Sequence, residues 1–461
     1  MDLINKLVDN VVNTRYENLP QAAIEAAKKS TLDTLGVIIS GTGAAGVKTL
    51  VDLIKEWGGK QESTILCYGG RVSAPNAAMV NGCMARAVDL DDIHDKAVLH
   101  ASASIIPSAF AMAERVGGLN GKDFITAICL GVDLICRLGL SIKVSPLISG
   151  MSITWQTATF GAAAVASRIM GLDEEKMLNA MGIAYSMTSG NQQTLLDGAL
   201  MIRIQQGIAA ANGVLSAIFA EKGITGARNV LEGKFGYYRV YQRGEYDPDV
   251  LTRELGKKFE GQNVAIKVFP SCYETHPAIT GTIVLVQEHD LKAGDIKEII
   301  VRLNQGSYNL VCDPIQVKSR PQTVPEAQFS LPYTVAVAVV KRDVFLDDFN
   351  DRSIRNPKIL ELAAKVQAFV DPEIEATAGR EIGPAAVEIR TNDGKTYSRF
   401  VNPSMVKGHG NRMSMEEVAE KFKKCNSYGV KPLPERNVEE IVTLISHLEE
   451  CMEVTRILEL F

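Results

Sequence analysis

No two of the eight cysteines in this 461-residue chain stand in CxxC spacing, and no three share iron–sulfur spacing. That excludes the usual dithiol redox motif and cluster ligation. Cys129 and Cys136 lie on an apolar helical stretch and read as core packing; only Cys272 has chemically suggestive neighbours. The longest uncharged run, 144–167, is interrupted by Ser, Thr, Gln and Pro and does not read as a membrane span. Lysine and arginine form no basic block, and the net charge of −5 gives no reason to expect nucleic acid or an acidic membrane as partner. Internal repeats, low-complexity tracts, a GxSxG elbow and HExxH or HxxxH pairs are all missing. The opening MDLINKLVDNVVNTRYENL is amphipathic and carries acids, unlike a secretory or transit leader, so a cytoplasmic protein is expected.

What is present describes a globular chain too long for one ordinary core. The first 265 residues read almost entirely as helix. Pro20 suits a first helical turn, and Ile24, Ala27, Leu32 and Leu35 continue an apolar stripe to Gly41. Segments 161–172, 174–185 and 207–220 carry Ala and Gly at helical spacing, which lets helix axes approach closely. Near Ile266 the character changes. Residues 295–303 alternate like a strand, 354–369 look helical, and 385–401 read as a hairpin turning at Asp393-Gly394. Helical pattern returns from Ser414. The expected fold is mainly α: a helical domain built from both chain ends (1–266 and 405–461) with an α+β lid inserted (267–404). The cleft between the two is the natural place for a ligand.

The most informative stretch is 85–114, ARAVDLDDIHDKAVLHASASIIPSAFAMAE. Asp89, Asp91, Asp92, His94, Asp95, Lys96 and His100 crowd together there, and an uncharged, alanine-rich segment follows. Either the acids cap the next helix through its free N–H groups, or the cluster lines a catalytic cleft. A metal site built from Asp91, Asp92, His94 and His100 is a third possibility, but the spacing gives it no support, and no metal is expected.

Three further segments are candidates. Lys267-Val-Phe-Pro-Ser-Cys-Tyr-Glu-Thr-His276 collects Lys, Cys, Tyr and His at the domain junction; it is either a site or a turn into a helix starting near His276-Pro277. Arg203 stands inside an apolar run, as a carboxylate anchor or as a side chain that snorkels to the surface. The polar groups of Ser319-Arg320-Pro321 and 326–333 read as a loop and the start of a helix at 334–340.

Several of these segments, in this order, resemble the MmgE/PrpD family over essentially the whole chain. The signposts are Asp89-Leu-Asp-Asp with His100, Trp155-Gln-Thr-Ala-Thr-Phe-Gly161, Arg203-Ile-Gln-Gln-Gly207 and Gly223-Ile-Thr-Gly226. Lys267-Val-Phe-Pro, Thr275-His276, Glu326-Ala-Gln-Phe-Ser330 and residues 415–422 continue them. The resemblance implies a helical domain from both termini, an α+β lid, a homodimer, a small carboxylate substrate and no bound cofactor. It places Asp89, His100 and Lys267 on catalytic or substrate-binding positions and His276 on a polar position beside them; with Tyr273 as a candidate proton donor, and Asp92, Gln156 and Arg203 as candidate substrate-binding groups, these complete the expected site. Three positions depart from the family's cis-aconitate decarboxylase branch: Ile93 replaces a threonine, Gln156 a histidine and Ile202 a lysine. Those changes argue against cis-aconitate decarboxylation and weaken a 2-methylcitrate assignment as well.

The chemistry of such substrates explains the residue types. Negative charge builds up next to a carboxylate, so a site needs a base near the C–H and fixed cations for the carboxylates. His100 suits the acid/base role because an imidazole titrates near neutrality. Asp89 would orient it or act as the base itself, with Lys267 and Arg203 as the cations. The expected activity is a lyase of the hydratase/dehydratase type. An epimerase of an amino- or imino-dicarboxylate and a non-catalytic carboxylate binder are the alternatives.

Overall fold

The computed structural model describes residues 2–144, 149–378 and 381–461. They fall into two compact units: Met1–Ile266 with Met413–Phe461, and Lys267–Arg412. The first unit is helical apart from a short ladder, β1 (Ser63–Thr64) on β2 (Arg71–Val72). Its principal helices are α1 (Ile4–Asn13), α2 (Gln21–Gly41), α3 (Val47–Trp57), α4 (Ala74–Arg86), α5 (Ser102–Val116), α6 (Gly121–Ser141), α7 (Ile153–Ile169), α8 (Glu174–Met187) and α9 (Met201–Glu221). Pro20 caps α2 as its spacing suggested, and α7 begins early enough to take in the Trp155–Gly161 motif.

Alanine and glycine let these helices touch backbone to backbone. A Cβ added at Gly207 of α9 would stand 2.1 Å from the Met79 carbonyl oxygen of α4, and one at Gly213 would stand 2.6 Å from the Ala163 nitrogen of α7. The α4, α7 and α9 helices therefore form one tightly packed core. Helix α6 is long and apolar enough to cross a membrane, yet 94% of its apolar window is buried inside the protein. It also carries a buried ion pair, Arg137 Nε to Asp133 Oδ2 at 2.7 Å. Arg137 further donates to the carbonyls of Arg253 and Lys258, both at 2.8 Å.

The chain returns to this unit as α12 (Met415–Asn426) and α13 (Glu435–Ser446). Ser414 and Glu417 form a reciprocal capping box at the start of α12. That helix packs on α2, where Lys421 Nζ meets Asp33 Oδ1 at 2.5 Å.

The second unit is α+β. Its sheet has the order β4-β3-β5-β6, from β3 (Ile296–Leu303), β4 (Val366–Val370), β5 (Ala385–Thr391) and β6 (Thr396–Val401). The β5–β6 hairpin turns at the expected Asp393-Gly394, where Gly394 has φ 86°. Helix α10 (His276–Glu288) lies on the sheet, with Gly281 against Val387 and Val401, and α11 (Leu331–Lys341) packs on α10. One expectation needs correction: 354–369 is not a single helix. A helix at Pro357–Ala363 gives way to β4, which runs parallel to β3. Val366 and Ala368 face inward while Gln367 is exposed, a period-2 pattern too short to stand out beside the preceding helix.

The close α4–α9 approach yields a stability prediction. Gly207→Ala forces a methyl onto a backbone carbonyl and is expected to lower the unfolding free energy by about 1–3 kcal/mol. Gly294→Ala, where a Cβ meets nothing within 4 Å, is the control. Urea unfolding followed by circular dichroism measures both.

Candidate functional site

Helix α4 ends at Arg86, and the chain then turns sharply, with Asp89 at φ 55°. Arg86 is buried, and its Nη1 donates to Asp89 Oδ1 and, at 3.2 Å, to Asp91 Oδ1. The other oxygen of Asp91 lies 3.0 Å from His100 Nδ1. The same Nδ1 is 2.9 Å from the Asp92 carbonyl oxygen. The hydrogen bond to the Asp92 carbonyl fixes a proton on Nδ1, with the Asp91 carboxylate close enough to pair with it, so the neutral imidazole would carry its lone pair on Nε2. Arg86, Asp91 and His100 are thus one chain of charge-assisted contacts. His100 is the most exposed of the three, at 13% for its side chain. Its backbone N–H donates to Thr154 Oγ1 on α7 at 3.2 Å.

Asp92 does what a capping residue does. Its carboxylate accepts the backbone N–H of Ser102 at 2.9 Å and the Ser102 hydroxyl, closing the N-terminus of α5. It is 1% exposed, and burial pushes its carboxyl up to about 7, partly offset by the Ser102 bonds. Asp92 thus takes the capping role that the cluster allowed, while Asp91 pairs with the histidine. Asp89 shares Arg86 with Asp91.

Arg203, near the start of α9, does not reach for solvent. It is 5% exposed, and its Nη1 donates to the Ala45 carbonyl at 2.9 Å. Burial lowers its pKa from the usual arginine value, and it feels both Arg86 and Asp89. The cation therefore sits in the field of the Arg86–Asp89 pair. Gln156 is fully buried on α7. Its Oε1 accepts from Tyr237 Oη at 3.0 Å and Gln242 Nε2 at 3.1 Å. That leaves Gln156 Nε2 as a buried donor with no partner among the described residues. Ile93 and Ile202 are buried apolar side chains.

In the second unit, Lys267, Tyr273 and His276 are all buried on one short segment. A 3-10 turn at Tyr273–Thr275 leads into α10 at His276, the expected turn into a helix. The Tyr273 and His276 ring centroids are 4.6 Å apart, and His276 Nε2 is 3.3 Å from the Ser271 carbonyl oxygen. Gln328 clasps the segment: its carbonyl accepts the Cys272 N–H at 2.8 Å, and its Nε2 donates to the Pro270 carbonyl at 3.2 Å.

Sequence reasoning gave no part to Arg86, Ser102, Thr154 or Lys421. Arg86 stands three residues before Asp89 at a helix end, a spacing that signals a pair. Lys421 donates to the Leu90 carbonyl at 3.1 Å across 331 residues, and no local pattern announces that.

A helical unit closed by both chain ends with an inserted α+β unit defines the class of fold, and the carboxylate-held histidine is its candidate site. The MmgE/PrpD N-terminal domain matches residues 5–249, and the MmgE/PrpD C-terminal domain matches residues 269–447. The chain belongs to the MmgE/PrpD family. It is 26% identical to the cis-aconitate decarboxylase-like protein oryM of Aspergillus oryzae over 476 residues, covering 99% of this chain and 96% of that one. Human cis-aconitate decarboxylase is 26% identical over 458 residues, covering 96% of this chain and 91% of the human protein. The 2-methylcitrate dehydratase of Salmonella typhimurium is 24% identical over 446 residues, covering 90% and 88%.

The buried Asp92 carboxyl has a consequence for stability. Between about pH 4 and 7 the unfolded chain has released this proton while the folded chain retains it, so the group makes stability fall as pH rises. Above pH 7 the effect levels off. Asp92→Asn removes it, so the stability difference between the native chain and the variant is expected to shift toward the variant from pH 4 to 7 and stay flat beyond. Urea midpoints at pH 5, 6, 7 and 8 test the sign.

Proposed function

We propose that this protein is a cofactor-independent lyase of the hydratase/dehydratase type, acting on a small di- or tricarboxylic acid by removing a proton next to a carboxylate. The observation that carries the proposal is the Arg86–Asp91–His100 chain, in which the Asp91 carboxylate and the Asp92 carbonyl both lie against His100 Nδ1 and orient the ring. The named activities of the relatives, decarboxylation of cis-aconitate and dehydration of 2-methylcitrate, support a polycarboxylate substrate. Ile93, Gln156 and Ile202 stand where the decarboxylase branch has threonine, histidine and lysine, which argues against decarboxylation of cis-aconitate.

In the dehydration direction His100 Nε2 takes the proton from the carbon beside a carboxylate. The electron pair of that C–H bond becomes the new C=C bond as the neighbouring C–O bond breaks. The departing hydroxide takes a proton, which we assign to Tyr273, and leaves as water. Lys267 and Arg203 hold the substrate carboxylates and the charge that develops beside them. Gln156 Nε2 and His276 bind further oxygens. Asp89 keeps Arg86 paired, so that Asp91 remains available to the imidazolium formed in the step.

Incubation with cis-aconitate, citrate-like acids and 2-methylcitrate is expected to interconvert hydroxy acid and alkene. His100→Ala and Lys267→Ala should each lower kcat by at least about 100-fold. Release of carbon dioxide would replace this assignment with decarboxylation. Solvent deuterium entering recovered substrate without any alkene would replace it with epimerisation, and tight binding without turnover would make the protein a carboxylate binder. Exhaustive dialysis against EDTA is expected to leave turnover unchanged.

A further inference from the structure

His100 is reached through a tight turn over residues 94–99. The turn closes on itself: the His94 N–H donates to the Leu99 carbonyl at 2.9 Å, and the Leu99 N–H returns to the His94 carbonyl at 3.4 Å. Inside it Val98 has φ 54°. A β-branched residue enters that left-handed region only when its surroundings impose it, at a strain of about 1–3 kcal/mol. The turn also lies directly on α6. A Cβ built on Gly139 would stand 2.4 Å from Leu99 Cδ2 and 3.1 Å from the Ala97 Cβ.

The His94 side chain spans this strained element from within. The Ala97 N–H donates to His94 Nδ1 at 3.2 Å, and Nε2 lies 3.3 Å from Glu260 Oε2. Because Nδ1 accepts, Nε2 carries the proton of the neutral ring and donates it to Glu260. Glu260 is itself anchored: its Oε2 also accepts from Asn263 at 2.8 Å, and its N–H donates to Asp133 Oδ1 at 2.9 Å, beside the Asp133–Arg137 pair. The hydrogen bond from His94 helps hold the Glu260 carboxyl down to about 2, so it stays an ionised acceptor. On either side of the turn the backbone is pinned, by the Ile93–Ala265 bridge before it and by the His100 N–H on Thr154 Oγ1 after it.

Resting on the assignment of His100 as the acid/base group, we infer that His94 is a positioning residue: it latches the strained 94–99 turn and thereby sets the His100 imidazole. His94 is 1% exposed, and both its ring nitrogens are engaged by the protein, so its effect passes through the backbone. Without the latch Val98 relaxes, Leu99 shifts, and the two Nδ1 contacts of His100 lengthen. A displacement of about 1 Å at a reacting group costs roughly 100-fold in rate.

Two conservative variants separate the contacts. His94→Asn restores an acceptor near the Nδ1 position and loses Glu260; His94→Gln reaches Glu260 and loses the acceptor for Ala97. The chain has six histidines, so heteronuclear NMR of labelled imidazoles, assigned with His100→Ala, reads the His100 tautomer without any substrate. His94→Gln is expected to lose the Nδ1–H tautomer of His100 and to lower kcat about 10- to 100-fold at unchanged KM. His94→Asn should keep both near native. Val98→Gly added to His94→Gln should recover part of the loss, because the strain that the latch opposes is gone. Gly139→Ala, which presses on the turn from α6, is expected to disturb the same signal if His94→Gln does not fold. The inference fails if the His100 signal and kcat are native in both His94→Gln and Gly139→Ala, or if Asn and Gln behave alike. Full turnover in His100→Ala would instead remove the acid/base assignment, while the NMR signal would still report whether His94 governs the ring.

Discussion

Three carboxylates within four positions, Asp89, Asp91 and Asp92, are all buried in the helical unit. Burying an unpaired carboxylate carries a penalty of several kcal/mol, so each must find a fixed counterpart. Arg86 serves two of them, and the first turn of α5 serves the third. This requirement rigidifies the loop. Asp91 can face Arg86 with one oxygen and His100 with the other only if the backbone between Arg86 and Ser102 follows a single course. The positive φ values at Asp89 and Val98 are part of that course.

The same loop explains why the C-terminal segment belongs to the first unit. Lys421 on α12 donates to the Leu90 carbonyl and pairs with Asp33 on α2. Burial raises the Asp33 carboxyl, and Lys421 opposes that shift. The last part of the chain thus supports the loop from below and neutralises another buried acid. Close packing has a comparable role on the other side. Because Gly207 allows α9 to rest on α4, the Arg203 cation lies in the field of Arg86 and Asp89 instead of reaching solvent.

Much of this was legible as pattern. The apolar stripe from Ile24 to Gly41, the alternation of 295–303 and the Asp-Gly hairpin turn all depend on neighbours within a few residues, and all three formed as expected. The 366–370 strand was hidden because five alternating residues directly after a helix carry little periodic signal, and its partner β3 lies some 67 residues earlier. The cluster at 89–100 was conspicuous as charge, yet spacing did not say which acid orients His100. That depends on a loop whose dihedrals are set by buried partners.

Sequence by itself determined the helical and α+β segments, the family and the short list of chemically capable residues. Periodicity, turn chemistry and spaced motifs are written in consecutive residues. Tertiary structure decided the division of labour: Asp91 on the histidine, Asp92 on the helix start, Gln156 in a buried amide network, and Lys421 beneath the loop. Those assignments arise from satisfying buried charge and polar groups in three dimensions, and the partners that satisfy them stand up to 331 residues apart.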